Sequence, residues 1–335
     1  MTLETMRALV ADAPDAPFRW IQLPMPQVRP GEALVRIHAS GVNPLDTKIR
    51  AGAADHARHP LPAVLGMDLA GIVEQVAGDV TDFAPGDEVW AMAGGVAGVQ
   101  GSMAEFAAVD ARLLAGKPAN LSMRQAAALP LAVITAWEGM VDIANVQPGD
   151  KVLVIGGAGG VGHIALQLAR ARGAQTFGVD SGDAAKYLRS IGAVAIDRNT
   201  PVQAYVEEFT AGLGFDVVYD CVGALDAAFQ AVRQSGKVTS SLGWGTYSLA
   251  PLSFRSASYA GVFTLRPLLS GKGREQHGRI LAEAKKLAEE GKLLPRLDSR
   301  RFTLDQAQEA HELLRSGASD GKVVLESLWP GQDTP

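Results

Sequence analysis

Residues Lys151–Gly162 read KVLVIGGAGGVG, and a second apolar run behind them, Gln175–Val179, ends on Asp180. Val152–Ile155 is short and largely β-branched, as a buried parallel strand requires. It breaks into Gly156 and Gly157, and a helical pattern follows through Ile164, Leu168 and Ala171. A strand, a glycine loop and a helix N-terminus make an anion site, because unpaired backbone N–H groups and the helix dipole converge there. Gly157, Gly159 and Gly162 fit the spacing G-x-G-x-x-G, with Ala158, Gly160 and Val161 between them. In that motif the glycines permit the turn, the approach of a pyrophosphate and close helix–strand packing. A carboxylate at Asp180 can accept hydrogen bonds from ribose hydroxyls. A dinucleotide is the expected ligand.

Outward from this stretch the chain changes character twice. Residues 1–121 are expected to form a β-rich domain, with strands at Met6–Ala11, Ala33–Ala39, Gly71–Gly78 and Glu88–Met92 between Gly/Pro turns. Residues 122–262 open with helix formers at Ser122–Leu129 and Ile134–Ala144. Apolar strands then alternate with helices, at Val152–Ile155, Gln175–Val179, Val194–Ile196, Asp216–Tyr219 and Val238–Leu242. That alternation predicts a doubly wound parallel sheet. Residues 263–335 return to the first domain through an amphipathic helix at Glu275–Glu290, a second helix opened by Thr303 and Gln306, and a strand at Gly321–Glu326. The expected fold class is α/β, a Rossmann-type domain inserted into a β-barrel domain.

Bulk properties narrow the function. The 335 residues carry a net charge of −5 with no block of like charge, which excludes an electrostatic case for nucleic acid or an anionic membrane. Cys221 is the one cysteine, so an intrachain disulfide is excluded. The opening MTLETMRALVADAPD has no basic segment followed by an apolar one, and no run reaches membrane-spanning length, so a cytoplasmic protein is expected.

Several blocks resemble the medium-chain dehydrogenase/reductase superfamily, and within it the zinc-independent quinone oxidoreductase branch that includes zeta-crystallin. They are SGVNPLDTKIR at Ser40–Arg50, LPAVLGMDLAGIVEQVAG at Leu61–Gly78, PGDEVWA at Pro85–Ala91 and AAALPLAVITAWEGM at Ala126–Met140. PGDKVLVIGGAGGVG at Pro148–Gly162 and GKVVL at Gly321–Leu325 complete the set. The resemblance implies a nicotinamide-dependent reductase with its active site in a cleft between a GroES-like and a Rossmann domain, and a homodimer. The implied reaction passes a hydride to a quinone or an α,β-unsaturated carbonyl. An alcohol dehydrogenase-like or enoyl reductase activity, and a non-catalytic NAD(P)-binding redox sensor, are the alternatives.

Zinc is not expected. Where zinc-dependent relatives place a cysteine and then Gly-His-Glu, this chain has Asn43 and Gly66-Met67-Asp68. Catalytic zinc needs three protein ligands, usually Cys, His or carboxylate. His56 and His59 form an HxxH pair in a Gly/Ala/Pro-rich loop, read as solvated. A metal-free reductase must offer hydrogen-bond donors to developing negative charge and then supply a proton. In similar proteins the segment around Asn43 lines the nicotinamide and substrate cleft; Asn43 and Asp46 match its motif directly, and Lys48 follows them as a further catalytic candidate. Asn43-Pro44-Leu45-Asp46 reads equally as turn chemistry, and Lys48 departs from the tyrosine common in the branch. For the cofactor the resemblance points to Thr135 on the nicotinamide side, to Phe263 and Thr264 near the carboxamide, and to Lys322. Cys221 and Val222 fall near the adenosine half. NAD(H) is favoured over NADP(H), since Asp180 would repel a 2′-phosphate, although Lys186 or Arg198 could swing toward one.

Overall fold

The computed structural model describes residues Thr5–Ser327. The reading of the opening segment, and the ends of the first and last domain ranges, fall partly outside these residues. In chain order the strands are β1 Thr5–Ala11, β2 Phe18–Pro24, β3 Glu32–Val42, β4 Ala63–Val64, β5 Asp68–Val76, β6 Glu88–Met92, β7 Phe106–Asp110 and β8 Ala115–Gly116. They continue as β9 Lys151–Ile155, β10 Gln175–Asp180, β11 Val194–Asp197, β12 Phe215–Asp220, β13 Val232–Ser240, β14 Ser258–Gly261, β15 Phe302–Thr303 and β16 Val323–Glu326.

The chain divides into two compact units. The first holds the chain up to Leu131, Leu265–Glu290 and the chain from Pro295; the second holds Ala132–Thr264 and Gly291–Leu294. Residues 122–131, assigned from sequence to the nucleotide domain, pack with the first unit. Helix Met123–Ala127 lies on β3 and β5. Gly41 makes this approach feasible, because any Cβ there would collide with the carbonyl oxygen of Ala127.

In the first unit β3 is the organising strand. It pairs antiparallel with β5, β7 and β16, within a sheet ordered β15-β16-β3-β5-β6-β8. A second sheet runs β2-β1-β4. Ile37, Leu65, Met67, Leu69, Trp90 and Met92 are fully buried in this unit. Removal of each such side chain from water contributes on the order of 1.5–3 kcal/mol. Met67, at a position where a zinc ligand would stand, is therefore core. β2 escapes the sequence reading because it is a partly exposed edge strand ending on Pro24.

The second unit is the doubly wound domain. Its parallel sheet has the order β11-β10-β9-β12-β13-β14, so chain direction across the sheet reverses beside β9. Phe177, Phe215, Val218, Leu225 and Phe229 form its core, with the Phe177 and Phe215 rings edge to face at 5.2 Å. The expected helix over Ile134–Ala144 is two elements, an α-helix Pro130–Trp137 and a π-helical turn Glu138–Ile143. The widened turn has a local cause. The Tyr219 hydroxyl donates to the Thr135 carbonyl at 3.0 Å, and its ring lies 2.8 Å from where a Cβ on Gly139 would be.

Candidate active site

In the second unit the glycine loop joins β9 to helix Gly162–Ala171. Gly156 has φ +81°, the left-handed region that favours glycine. A Cβ on Gly157 would lie 2.9 Å from the Cα of Gly178 on β10, and one on Gly162 would overlap the carbonyl oxygen of Gly156. Side chains would fill the space under the loop, so these glycines preserve a cradle of backbone N–H groups that fits a pyrophosphate. Asp180 closes its side. Its Oδ2 accepts the Ala158 N–H at 2.8 Å and its Oδ1 the Ser181 N–H at 2.8 Å. Each carboxylate oxygen has a further lone pair, so capacity for ribose hydroxyls remains. The same motif residue thus shapes the loop, a role the sequence reading did not include.

The remaining cofactor-side residues of this unit are placed as follows. Gly159, Gly160 and Val161 complete the loop, and the Gly159 carbonyl meets His163 Nδ1 at 2.8 Å. Cys221 is partly covered and Val222 exposed, just past the end of β12. Lys186 is exposed on helix Ala185–Ser190. Arg198 is also exposed, and its N–H donates to the Asp180 carbonyl at 2.7 Å. Thr264 is buried, and its hydroxyl donates within reach of Thr135 Oγ1 at 3.1 Å and Glu138 Oε2 at 2.8 Å. The two threonines singled out from sequence are thus brought together. Phe263, next to them, is 44% exposed.

In the first unit the predicted residues meet in a buried cluster with a member that sequence reasoning missed. Asn43 precedes helix Pro44–Arg50, whose first position holds a proline. The Asn43 N–H donates to Asp46 Oδ2 at 2.8 Å, and the Asp46 N–H to the Asn43 carbonyl at 3.0 Å. The Asn43 side chain points elsewhere. Its Nδ2 donates to Asp68 Oδ2 at 2.9 Å, and its Oδ1 accepts from Lys322 Nζ. Lys322 Nζ also donates to the Val42 carbonyl at 3.4 Å and lies 4.0 Å from Asp68 Oδ2. The other Asp68 oxygen accepts the Leu131 N–H at 2.9 Å, and Ser102 Oγ donates to the Asp68 carbonyl at 2.8 Å. Asp46 and Asp68 have no exposed surface and Asn43 has 1%.

Burial sets the electrostatics. It raises the Asp46 carboxyl to about 7, against a smaller pull from the Asn43 N–H, with the charge of Asp68 adding to the rise. Burial likewise raises Asp68 to about 6, opposed by Lys322 and by the Asn43 amide. It lowers the Lys322 ammonium, which the two carboxylates partly restore. Asp46 Oδ1 has no hydrogen-bond partner among the described residues. A proton there removes the charge that burial penalises most. Asp68 is the carboxylate that stands nearest the Lys322 ammonium.

The geometry places three further residues. Lys322, expected near the cofactor, also sits in the Asn43–Asp68 cluster, because β16 pairs with β3 and sets Val323 opposite Val42. Lys48 is not in the cluster. It lies two residues past Asp46, roughly 200° around the helix axis, and is exposed. His59 is buried rather than solvated, with Nε2 3.3 Å from the Val64 carbonyl, and burial lowers its ring. Asp68 had a visible signal, a lone carboxylate inside the apolar run Leu61–Val73.

Residues 29–119 match the alcohol dehydrogenase GroES-like domain family, and residues 191–325 the zinc-binding dehydrogenase family. The 2-methylene-furan-3-one reductase of Solanum lycopersicum is 35% identical over 314 residues, covering 91% of this chain and 74% of the relative. The chain belongs to the medium-chain dehydrogenase/reductase superfamily. It is an oxidoreductase that uses a nicotinamide nucleotide. The NADPH-dependent alkenal/one oxidoreductase of Arabidopsis thaliana, described as chloroplastic, is 34% identical over 90% of this chain and 73% of its own length. Among solved structures, an alcohol dehydrogenase superfamily protein from Novosphingobium aromaticivorans is 52% identical. It superposes with a TM-score of 0.94 over 96% of this chain and 99% of its own. The GroES-like and Rossmann domains implied by the sequence are the two units described above.

Proposed function

We propose that this member of the superfamily reduces uncharged conjugated carbonyl compounds, enones or quinones, without zinc and with NADH preferred. The observation that carries the reading is the Asn43–Asp68–Lys322 cluster. Lys322 sets its ammonium among Asn43 and two carboxylates, supplying internally the positive charge that a metal would bring. Met67 is a core side chain and Asn43 an amide, so the donor set does not fit tetrahedral zinc. The two relatives named above are a 2-methylene-furan-3-one reductase and an NADPH-dependent alkenal/one oxidoreductase.

The bound nicotinamide would supply the hydride, and this chain's residues orient and protonate. With its amide engaged at both ends, Asn43 acts by position, holding Lys322 and the start of helix Pro44–Arg50 in place. On that helix Lys48 is exposed whereas Arg50 is buried, and Lys48 is the group we assign to proton supply. NADH preference rests on Asp180, a carboxylate at the end of β10 that would face the adenosine ribose. The implied homodimer has a candidate seam in β14, an edge strand of the six-stranded sheet.

The decisive assay is nicotinamide oxidation with a panel of enones and quinones, using NADH and NADPH in parallel after exhaustive chelation. Turnover of at least one conjugated carbonyl with substoichiometric zinc is expected. Binding of nucleotide without turnover of any acceptor, or activity lost on chelation and restored by zinc, would overturn the reading. In the same assay Lys48→Met should lower kcat by about 10- to 100-fold and remove one limb of the pH–rate profile. An unchanged profile would return Lys48 to the solvated face of its helix.

A further inference from the structure

In an open α/β sheet the ligand lies along the carboxyl edge of the strands, at the point where strand order reverses. Here the glycine loop after β9 would hold the pyrophosphate, and β10 with Asp180 the adenosine ribose. The nicotinamide half would then lie on the other side of β9, toward β12 and β13. The loops that end β13 and β14 stand roughly 10 and 14 Å from β9, given a strand spacing of about 4.8 Å. These loops would therefore stand on the nicotinamide side of a bound cofactor.

Two aromatic side chains occupy that place. Trp244 follows β13 and is 62% exposed; Phe263 follows β14. Their rings meet edge to face, with centroids 6.5 Å apart and planes at 73°. The loop under Trp244 is shaped for this. Gly243 and Gly245 flank it, and a Cβ on Gly243 would strike the Tyr259 hydroxyl, while one on Gly245 would lie 2.8 Å from the Tyr247 ring. Small residues on both sides keep the backbone close to the domain, and the indole stays 62% exposed. Exposed aromatic area gathered at a ligand edge is a signature of a binding surface.

We infer that Trp244 and Phe263 form a shelf that receives a flat, apolar ring of the substrate, so that the preferred acceptors are aryl-conjugated carbonyls over short aliphatic ones. The inference rests on the proposed function and narrows its substrate class.

The test compares 4-phenylbut-3-en-2-one with pent-3-en-2-one in the intact protein. Trp244→Ala should lower the aryl-to-aliphatic ratio of kcat/KM by about tenfold, and Trp244→Phe should restore most of it. NADH affinity should change by less than about twofold. An unchanged ratio would overturn the shelf, and so would a loss in NADH affinity equal to the loss in turnover, since the indole would then serve the cofactor. Calorimetry with 4-phenylbutan-2-one and pentan-2-one, the saturated products, reads the shelf without turnover. Tighter binding of the aryl ketone, lost in Trp244→Ala, supports the shelf even if neither enone is reduced, a result that would count against the proposed reaction alone. Equal binding of the two ketones by the unmodified protein overturns it.

Discussion

The glycine loop of the second unit and the buried cluster of the first both manage charge away from bulk water, by opposite means. The loop uses backbone N–H groups drawn from consecutive residues, and Asp180 braces it by accepting two of its neighbours. The cluster uses side chains from four separate segments, and one of its hydrogen bonds joins residues 279 apart in sequence. Backbone donors come with the chain and need only space, which glycine leaves open. Side-chain ions must each be matched, and an unmatched buried charge is costly. The loop should therefore fail by crowding and the cluster by loss of a partner.

The largest effect is expected at the cluster. Lys322→Met leaves Asp68 buried without its cation, which should destabilise the first unit by about 3–5 kcal/mol at pH 8. Adding Asp68→Asn should recover most of that loss in urea denaturation, because the stranded charge is gone. The pH dependence has a definite sign. Asp68 is raised to about 6, so the folded state holds a proton that the unfolded state releases. Its unfavourable contribution is complete above that value and fades as pH falls, and the cost of Lys322→Met should shrink toward pH 5. A cost independent of pH, or a double variant no better than the single one, would break the comparison.

Crowding the loop comes next. Gly162→Ala forces a methyl group against the Gly156 carbonyl. Overpacking of this kind costs about 1–3 kcal/mol, and NADH affinity should fall by roughly 5- to 150-fold in a fluorescence titration. Full affinity would mean that the loop is not the rigid cradle its contacts describe.

Asp180 sharpens the contrast at a similar or smaller scale. A net preference for NADH of about 1–3 kcal/mol is expected from repulsion of a 2′-phosphate, after screening. Asp180→Ser should reduce that preference, and should also weaken NADH itself because the Ala158 N–H loses its acceptor. Equal binding of NADPH by the unmodified protein would refute the assignment. A change in preference with no change in NADH affinity would remove the bracing role alone.

Legibility followed the same division. The strands Glu88–Met92 and Val152–Ile155, the glycine loop and Asp180 stand near their expected places, since each depends on neighbours a few residues away. Asn43 and Asp46 were visible as a turn. What their side chains do was not, because Asn43 turns from its own helix to Asp68 and Lys322. The π-helical turn at Glu138–Ile143 was hidden for a related reason, its cause being Tyr219 on a strand far along the chain.

The sequence by itself determined the two-domain class, the dinucleotide loop and the lack of thiolate ligands, because periodicity, glycine spacing and residue identity are local properties. Only the tertiary structure decided that Lys322 is the cation of the Asn43–Asp68 cluster, that Lys48 is outside it and that Trp244 meets Phe263. Pairing of β16 with β3, and of β14 with β13, sets those neighbours. Such registers follow from burial of whole sheets, a sum over many residues that no short motif contains.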